Sequence, residues 1–75
     1  MDNALQTLTS HTVKFDTTEY VRERGESPRG YGGWAFQLDG ESNVVRVRAM
    51  RYSEAKRVVR SLAQARGVRS VSVLP

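Results

Sequence analysis

The chain has no cysteine, a single histidine (His11) and two prolines among 75 residues, and its longest apolar runs are pairs and triplets such as Val44-Val45 and Trp34-Ala35-Phe36. Without cysteine there is no disulfide framework, no thiolate zinc site and no cysteine nucleophile, and one imidazole makes no histidine metal cluster. No metal or other cofactor is expected. A membrane span needs roughly 20 apolar residues, and Met1-Asp2-Asn3 is not a signal-peptide start, so a soluble, cytoplasmic protein is expected. The length allows one core, burying about 60% of the surface that the unfolded chain exposes.

Acidic residues are also scarce, but only in one part of the chain. Up to Glu41 there are seven acids (Asp2, Asp16, Glu19, Glu23, Glu26, Asp39, Glu41) against four bases (Lys14, Arg22, Arg24, Arg29), a balance of -3. After Glu41 there are eight bases (Arg46, Arg48, Arg51, Lys56, Arg57, Arg60, Arg66, Arg69) against Glu54 alone, a balance of +7. Ten of the twelve bases are arginine, whose planar fork pairs bidentately with phosphate, carboxylate or a guanine edge. A GC-rich source would account for the arginine-to-lysine ratio, but not for the placement.

What is present has a readable order. Residues 1–10 show no sustained period and read as a tail or lead-in, leaving 11–75 as a single α/β binding domain. His11 to Arg22 alternates, with Val13, Phe15, Thr17 and Val21 on one side and Lys14, Asp16, Thr18, Tyr20 and Arg22 on the other, which predicts a first strand. Glu23 to Gly33 holds four glycines and a proline and reads as a loop. Trp34 to Leu38 alternates again, and Asp39-Gly40 supplies a hairpin turn. Val44 to Met50 makes a third strand, with Val45, Val47 and Ala49 on one face and Val44, Arg46, Arg48 and Met50 on the other.

Ser53 is a suitable N-cap, and Ala55, Val58, Val59, Leu62 and Ala65 recur at helical spacing until Gly67. Lys56, Arg57, Arg60 and Gln64 fall together on the opposite side of that helix. Val68 to Leu74 reads as a last strand. The order β-β-β-α-β predicts an α+β fold: one four-stranded mixed sheet with a single helix on one face, the other face remaining wet. The expected core is Val13, Phe15, Val21, Trp34, Phe36, Leu38, Val45, Val47, Val58, Val59, Leu62, Val71 and Val73. The strand order is open, since the last strand fits beside the first or the third.

Catalysis requires a nucleophile, a base that orients it and usually a third group. His11 has no assured acid partner and reads as an exposed strand-end residue, while Glu23 and Glu26 sit among Arg22, Arg24 and Arg29 as solvated ion pairs. No catalytic residue is assigned, and a non-enzymatic protein is expected. Arg29-Gly30-Tyr31-Gly32-Gly33-Trp34 is glycine-rich, but it lacks the Lys-Ser/Thr ending of a phosphate loop and opens no helix. Its alternative role is an exposed Arg29 and Tyr31 at a loop tip. Basic surfaces bind nucleic acid by displacing counterions, and two candidates join that loop: the sheet pair Arg46 and Arg48, and the helix row Lys56, Arg57 and Arg60.

From Gly33 to about Arg66, the succession Gly-Trp-Ala-Phe, a turn, an arginine-rich strand and Tyr52-Ser53-Glu54-Ala55-Lys56 opening a helix resembles the arm-binding domains of phage tyrosine integrases. That resemblance implies a sheet docked in the DNA major groove, with Arg46, Arg48 and Arg29 in contact. The Ser-x-Ala-Lys entry to the helix, the size and the general build also resemble short phage-encoded accessory proteins, anti-CRISPR inhibitors among them. This second resemblance implies an inhibitor that binds a protein or nucleoprotein partner, a CRISPR effector, in the host cytoplasm. A homodimer closing over the uncovered sheet face is a further arrangement that the sequence leaves open.

Overall fold

A computed structural model describes residues 11–75 of the chain, so the lead-in of residues 1–10 lies outside the described residues. The elements are β1 (Lys14–Asp16), α1 (Thr18–Arg24), β2 (Tyr31–Leu38), β3 (Val44–Arg51), α2 (Tyr52–Ala65) and β4 (Ser70–Leu74). They form an α+β fold with one four-stranded mixed sheet, 32% helical and 37% strand. The sheet order is β1-β4-β2-β3. Parallel pairing joins β1 to β4, and antiparallel pairing joins β4 to β2 and β2 to β3. Of the two places open to the last strand, it takes the one beside the first. No helix among the described residues is long and apolar enough to cross a membrane.

The first strand is much shorter than alternation predicts. It ends at Asp16, and Thr18–Arg24 is a helix. The Asp16 carboxylate accepts from the Thr18 N–H (3.0 Å) and the Thr18 hydroxyl (2.6 Å), turning the chain out of the strand. Those two bonds hold the Asp16 carboxyl below its ordinary range, with Lys14 adding to the effect. This local contribution is therefore present above the ordinary aspartate range and lost as pH falls through the folded-state value. At the other end Gly25 closes the helix in the left-handed conformation, φ +78.

The change reverses two assignments. Tyr20 is buried, with its ring 6.1 Å from Trp34, while Val21 is 38% exposed. Periodicity over so few residues does not separate helix from strand, and here a tertiary partner selects the helix.

β2 starts at Tyr31, three residues before the expected position, because Tyr31 pairs with Arg51 and Gly32 with Met50. Below Gly32 the register shifts, and Trp34 faces Val47. Gly33 thus stands opposite both Arg48 and Ala49, a bulge in β3. The bulge inverts the alternation beyond Arg48: Ala49 turns out, Met50 packs against the core, and Arg51 turns out. The Trp34 indole N–H donates to the Met50 carbonyl oxygen at 2.9 Å and ties down this irregular stretch. At the far end of the hairpin Gly40 takes φ +85 in the Asp39-Gly40 turn.

β3 runs directly into α2. Helix entry is at Tyr52, not after Ser53, and the Glu54 carboxylate accepts from the Arg51 N–H at 3.2 Å. The buried stripe of α2 is Ala55, Val59 and Ala63, spaced four apart. Val58 lies outside it and is 52% exposed, although the sequence places it in the core. The stripe packs on β2 and β3, where Trp34, Phe36 and Leu38 alternate inward beside Val71 and Val73 of β4. Tyr52 joins them, its ring centroid 5.0 Å from Trp34 and 6.5 Å from Phe36. Burial, and secondarily the neighbouring Tyr20, raises the Tyr52 phenol above its ordinary range.

α2 ends at Ala65, and just past its C-cap Arg66 stands Gly67, which adopts φ +70 with open space where a Cβ would stand. Gly67→Ala is therefore expected to act through backbone conformation alone, costing about 1 kcal/mol. For a domain of this size the melting temperature should fall by roughly 4–8 °C. A thermal melt followed by circular dichroism measures it, and an unchanged midpoint would contradict the left-handed cap.

Candidate functional site

Both helices feed one apolar cluster on the inner side of the sheet, and among the described residues nothing covers the outer side of β2 and β3. Alternation sets what stands there. β2 presents Tyr31, Gly33, Ala35 and Gln37, and β3 presents Val44, Arg46, Arg48, Ala49 and Arg51. The arginines span about 17 Å of strand, at 3.4 Å per residue. Arg46, Arg48 and Arg51 are all exposed, and none belongs to an ion pair among the described residues.

The other half of the face differs in character. β4 contributes Ser70, Ser72 and Leu74, and β1 contributes Lys14 and Asp16. Beyond them a shallow depression lined by Asp16, Thr18, Glu19, Arg22 and Ser72 borders α1, where Arg22 already pairs with Glu19 at 3.6 Å. Charge is thus segregated across the sheet, with unpaired arginines along β3 and mixed charge at the β1 edge.

The structure sets Arg46, Arg48 and Tyr31 on the outer face of the β2–β3 hairpin, leaves Arg29 in the loop beside it, and carries Lys56, Arg57 and Arg60 on α2. Arg46 and Arg48 are on the outer face as expected. Tyr31 belongs to the same face, directly opposite Arg51, with 73% of its surface exposed. Arg29 lines a recess of about 210 Å³ with Pro28, Gly30, Arg51, Tyr52 and Ser53, and its guanidinium stands 3.4 Å from the Glu26 carboxylate in a solvent-exposed pair. Tyr31 is therefore a strand residue, not a loop tip, while Arg29 remains in the loop.

Lys56, Arg57 and Arg60 do not form one free basic row. The Lys56 ammonium lies 5.4 Å from the Phe15 ring centroid and 5.6 Å from that of Tyr52, and the Arg60 guanidinium lies 5.6 Å from Phe15. Because β1 is short and at the sheet edge, the half-buried Phe15 ring needs a cover, and the stems and heads of these two residues supply it. Of the row only Arg57 is exposed, while Lys56 and Arg60 are half-buried. Gln64, expected beside them, instead donates to the His11 carbonyl oxygen at 2.8 Å. His11 is likewise not a free strand end: its Nε2–H donates to the Val68 carbonyl oxygen at 2.8 Å.

Arg51 is the residue that sequence reasoning missed. By simple alternation it shares the inward parity of Val45 and Val47, and only the bulge returns it to the outer face. The available signal was Gly32-Gly33, since paired glycines within a strand mark a bulge or a close approach. No protein-family model matches the sequence, and neither a curated protein nor a solved structure matches it.

Proposed function

We propose that the protein is a non-enzymatic binding module that engages nucleic acid through the outer face of the β2–β3 hairpin. The observation that carries this reading is the line of three exposed, ion-pair-free arginines, Arg46, Arg48 and Arg51, along one strand that nothing described covers. Arginine forks suit phosphate oxygens, and exposed cations without protein partners are the groups that exchange condensed counterions for contacts. Arg29 adds a fourth cation beside Arg51 when its weak exposed pair with Glu26 opens. The place of action in this reading is the cytoplasm of the host cell.

Fluorescence anisotropy with a labelled mixed-sequence oligonucleotide tests the proposal. Three phosphate contacts predict a slope in log K against log salt of about -2.7 on duplex DNA and about -2.1 on a single strand, a loss of about 40-fold or 20-fold between roughly 50 and 200 mM. Saturable binding with a slope in that range is the expected result. No binding at the lower salt would overturn the reading.

One observation favours a second reading, a nucleoprotein target. The outer face changes character from the arginines of β3 to the mixed charge of Lys14, Asp16, Glu19 and Arg22 at the opposite edge, and a protein–nucleic acid complex offers surfaces of both signs. The protein would then act as an inhibitor of the anti-CRISPR kind, seated on an RNA-guided effector. Pull-down with purified effectors of several types, beside bare nucleic acid, separates the two readings. Retention of an effector without affinity for its nucleic acid favours the second, and failure with every effector rejects it.

A further inference from the structure

We infer that the nucleic acid bound by this face is single-stranded, with one base stacked on Tyr31 and the backbone running along β3; this rests on the nucleic-acid reading above. Tyr20 and Tyr52 are packed against Trp34, whereas Tyr31 is 73% exposed and has no aromatic partner among the described residues. Its neighbours along the outer side of β2 are Gly33 and Ala35, which carry no side chain or a single methyl group. Along β2, therefore, no bulky side chain stands between the Tyr31 ring and a flat planar group laid against the strand.

The cations form a single file. Arg46, Arg48 and Arg51 are all on β3, and the outward positions of β2 carry no charge. A duplex presents two phosphate backbones across a groove about 12 Å wide, and gripping both requires cations on both flanks of the inserted ribbon. Here the far flank carries Asp16 and Glu19 balanced by Lys14 and Arg22, so it offers no net positive charge to grip a second backbone. In a duplex, moreover, the base faces are stacked on one another and unavailable to an aromatic side chain, while in a single strand they are free to stack on one. Arg46 and Arg48 are two residues apart, about 6.8 Å along the strand, close to the separation of successive phosphates in an extended strand. Arg51, the register partner of Tyr31, would hold the phosphate next to the stacked base.

The test uses labelled DNA and RNA single strands of about 15 nucleotides, and the corresponding DNA duplex, at about 50 mM salt with the wild-type chain, Tyr31→Ala and Tyr31→Phe. Each variant's fold is checked by circular dichroism. Expected is binding to single strands at least about tenfold tighter than to duplex. Tyr31→Ala should weaken single-strand binding by about 5- to 150-fold, the range for one stacked base, with little effect on duplex, and Tyr31→Phe should preserve it. The DNA and RNA arms tell which sugar is preferred. Equal affinity for duplex and single strand, or an equal effect of Tyr31→Ala on both, would overturn the single-strand inference and leave the nucleic-acid reading standing. Absence of binding to every probe would overturn both.

Discussion

Phe36→Ala is expected to remove a large share of the chain's stability, between about a third and all of it. Phe36 has no solvent exposure and sits at the crossing of three strands and a helix. It pairs with Val45 of β3 and Val73 of β4, meets the Phe15 ring edge-on at 6.1 Å, and stacks with Tyr52 at 6.5 Å. Truncating a buried phenylalanine costs about 3–5 kcal/mol, the lost transfer free energy adding to the cavity left behind. A chain of this length has a total stability of only about 4–11 kcal/mol at 0.05–0.15 kcal/mol per residue. Circular dichroism and a denaturant titration should show loss of the cooperative transition, or a midpoint far below the wild type. A variant that melts within a few degrees of wild type would mean that the layer between β2 and α2 is not packed as described.

Charge reversal on β3 should have the largest effect on binding. Arg46→Glu with Arg48→Glu removes four units of charge, taking the net charge from +4 to 0. On a single strand, two lost phosphate contacts correspond to a factor of about 70 in affinity near 50 mM salt, relative to 1 M, and to a salt dependence flatter by about 1.4. Arg57→Glu with Arg69→Glu changes the net charge equally at exposed positions away from the β3 face, and supplies the control. If the field of the whole molecule drove association, the two pairs would weaken binding alike. The expected result is a large loss for the β3 pair and a loss of less than about tenfold for the control. Equal losses would remove the site from the sheet, and a loss confined to the control would move it to α2 and the β4 approach.

Parts of this architecture are legible in the chain because they depend on near neighbours. α2 combines an apolar stripe along its 14 residues with Gly67 behind it, and both the period and the left-handed cap are local properties. The Asp39-Gly40 turn and the alternation of Trp34, Phe36 and Leu38 are local in the same sense. The outward placement of Arg46 and Arg48 follows from them, because Val45 and Val47 between them need the core. α1 is not legible. Its seven residues carry an alternating pattern compatible with a strand, and the helix is selected by the Asp16 turn and by Tyr20 reaching Trp34, fourteen residues further on. That Lys56 and Arg60 lean over an aromatic ring is not legible for a related reason, since the Phe15 ring that they cover comes from a strand distant in sequence.

The sequence by itself determined the class of the protein: one small α+β domain, a concentration of arginine after Glu41, and two arginines facing away from the core. These follow from composition and from periods of two and 3.6 residues, which act between neighbours along the chain. Tertiary structure alone decided the rest. It placed β4 between β1 and β2, used two helix cations to cover Phe15, and set Tyr31 opposite Arg51 on an uncovered face. The bulge opposite Gly33 turned Arg51 outward and completed the line of three arginines. Strand order, register and bulges arise from pairings between segments far apart in the chain, and no local period encodes them.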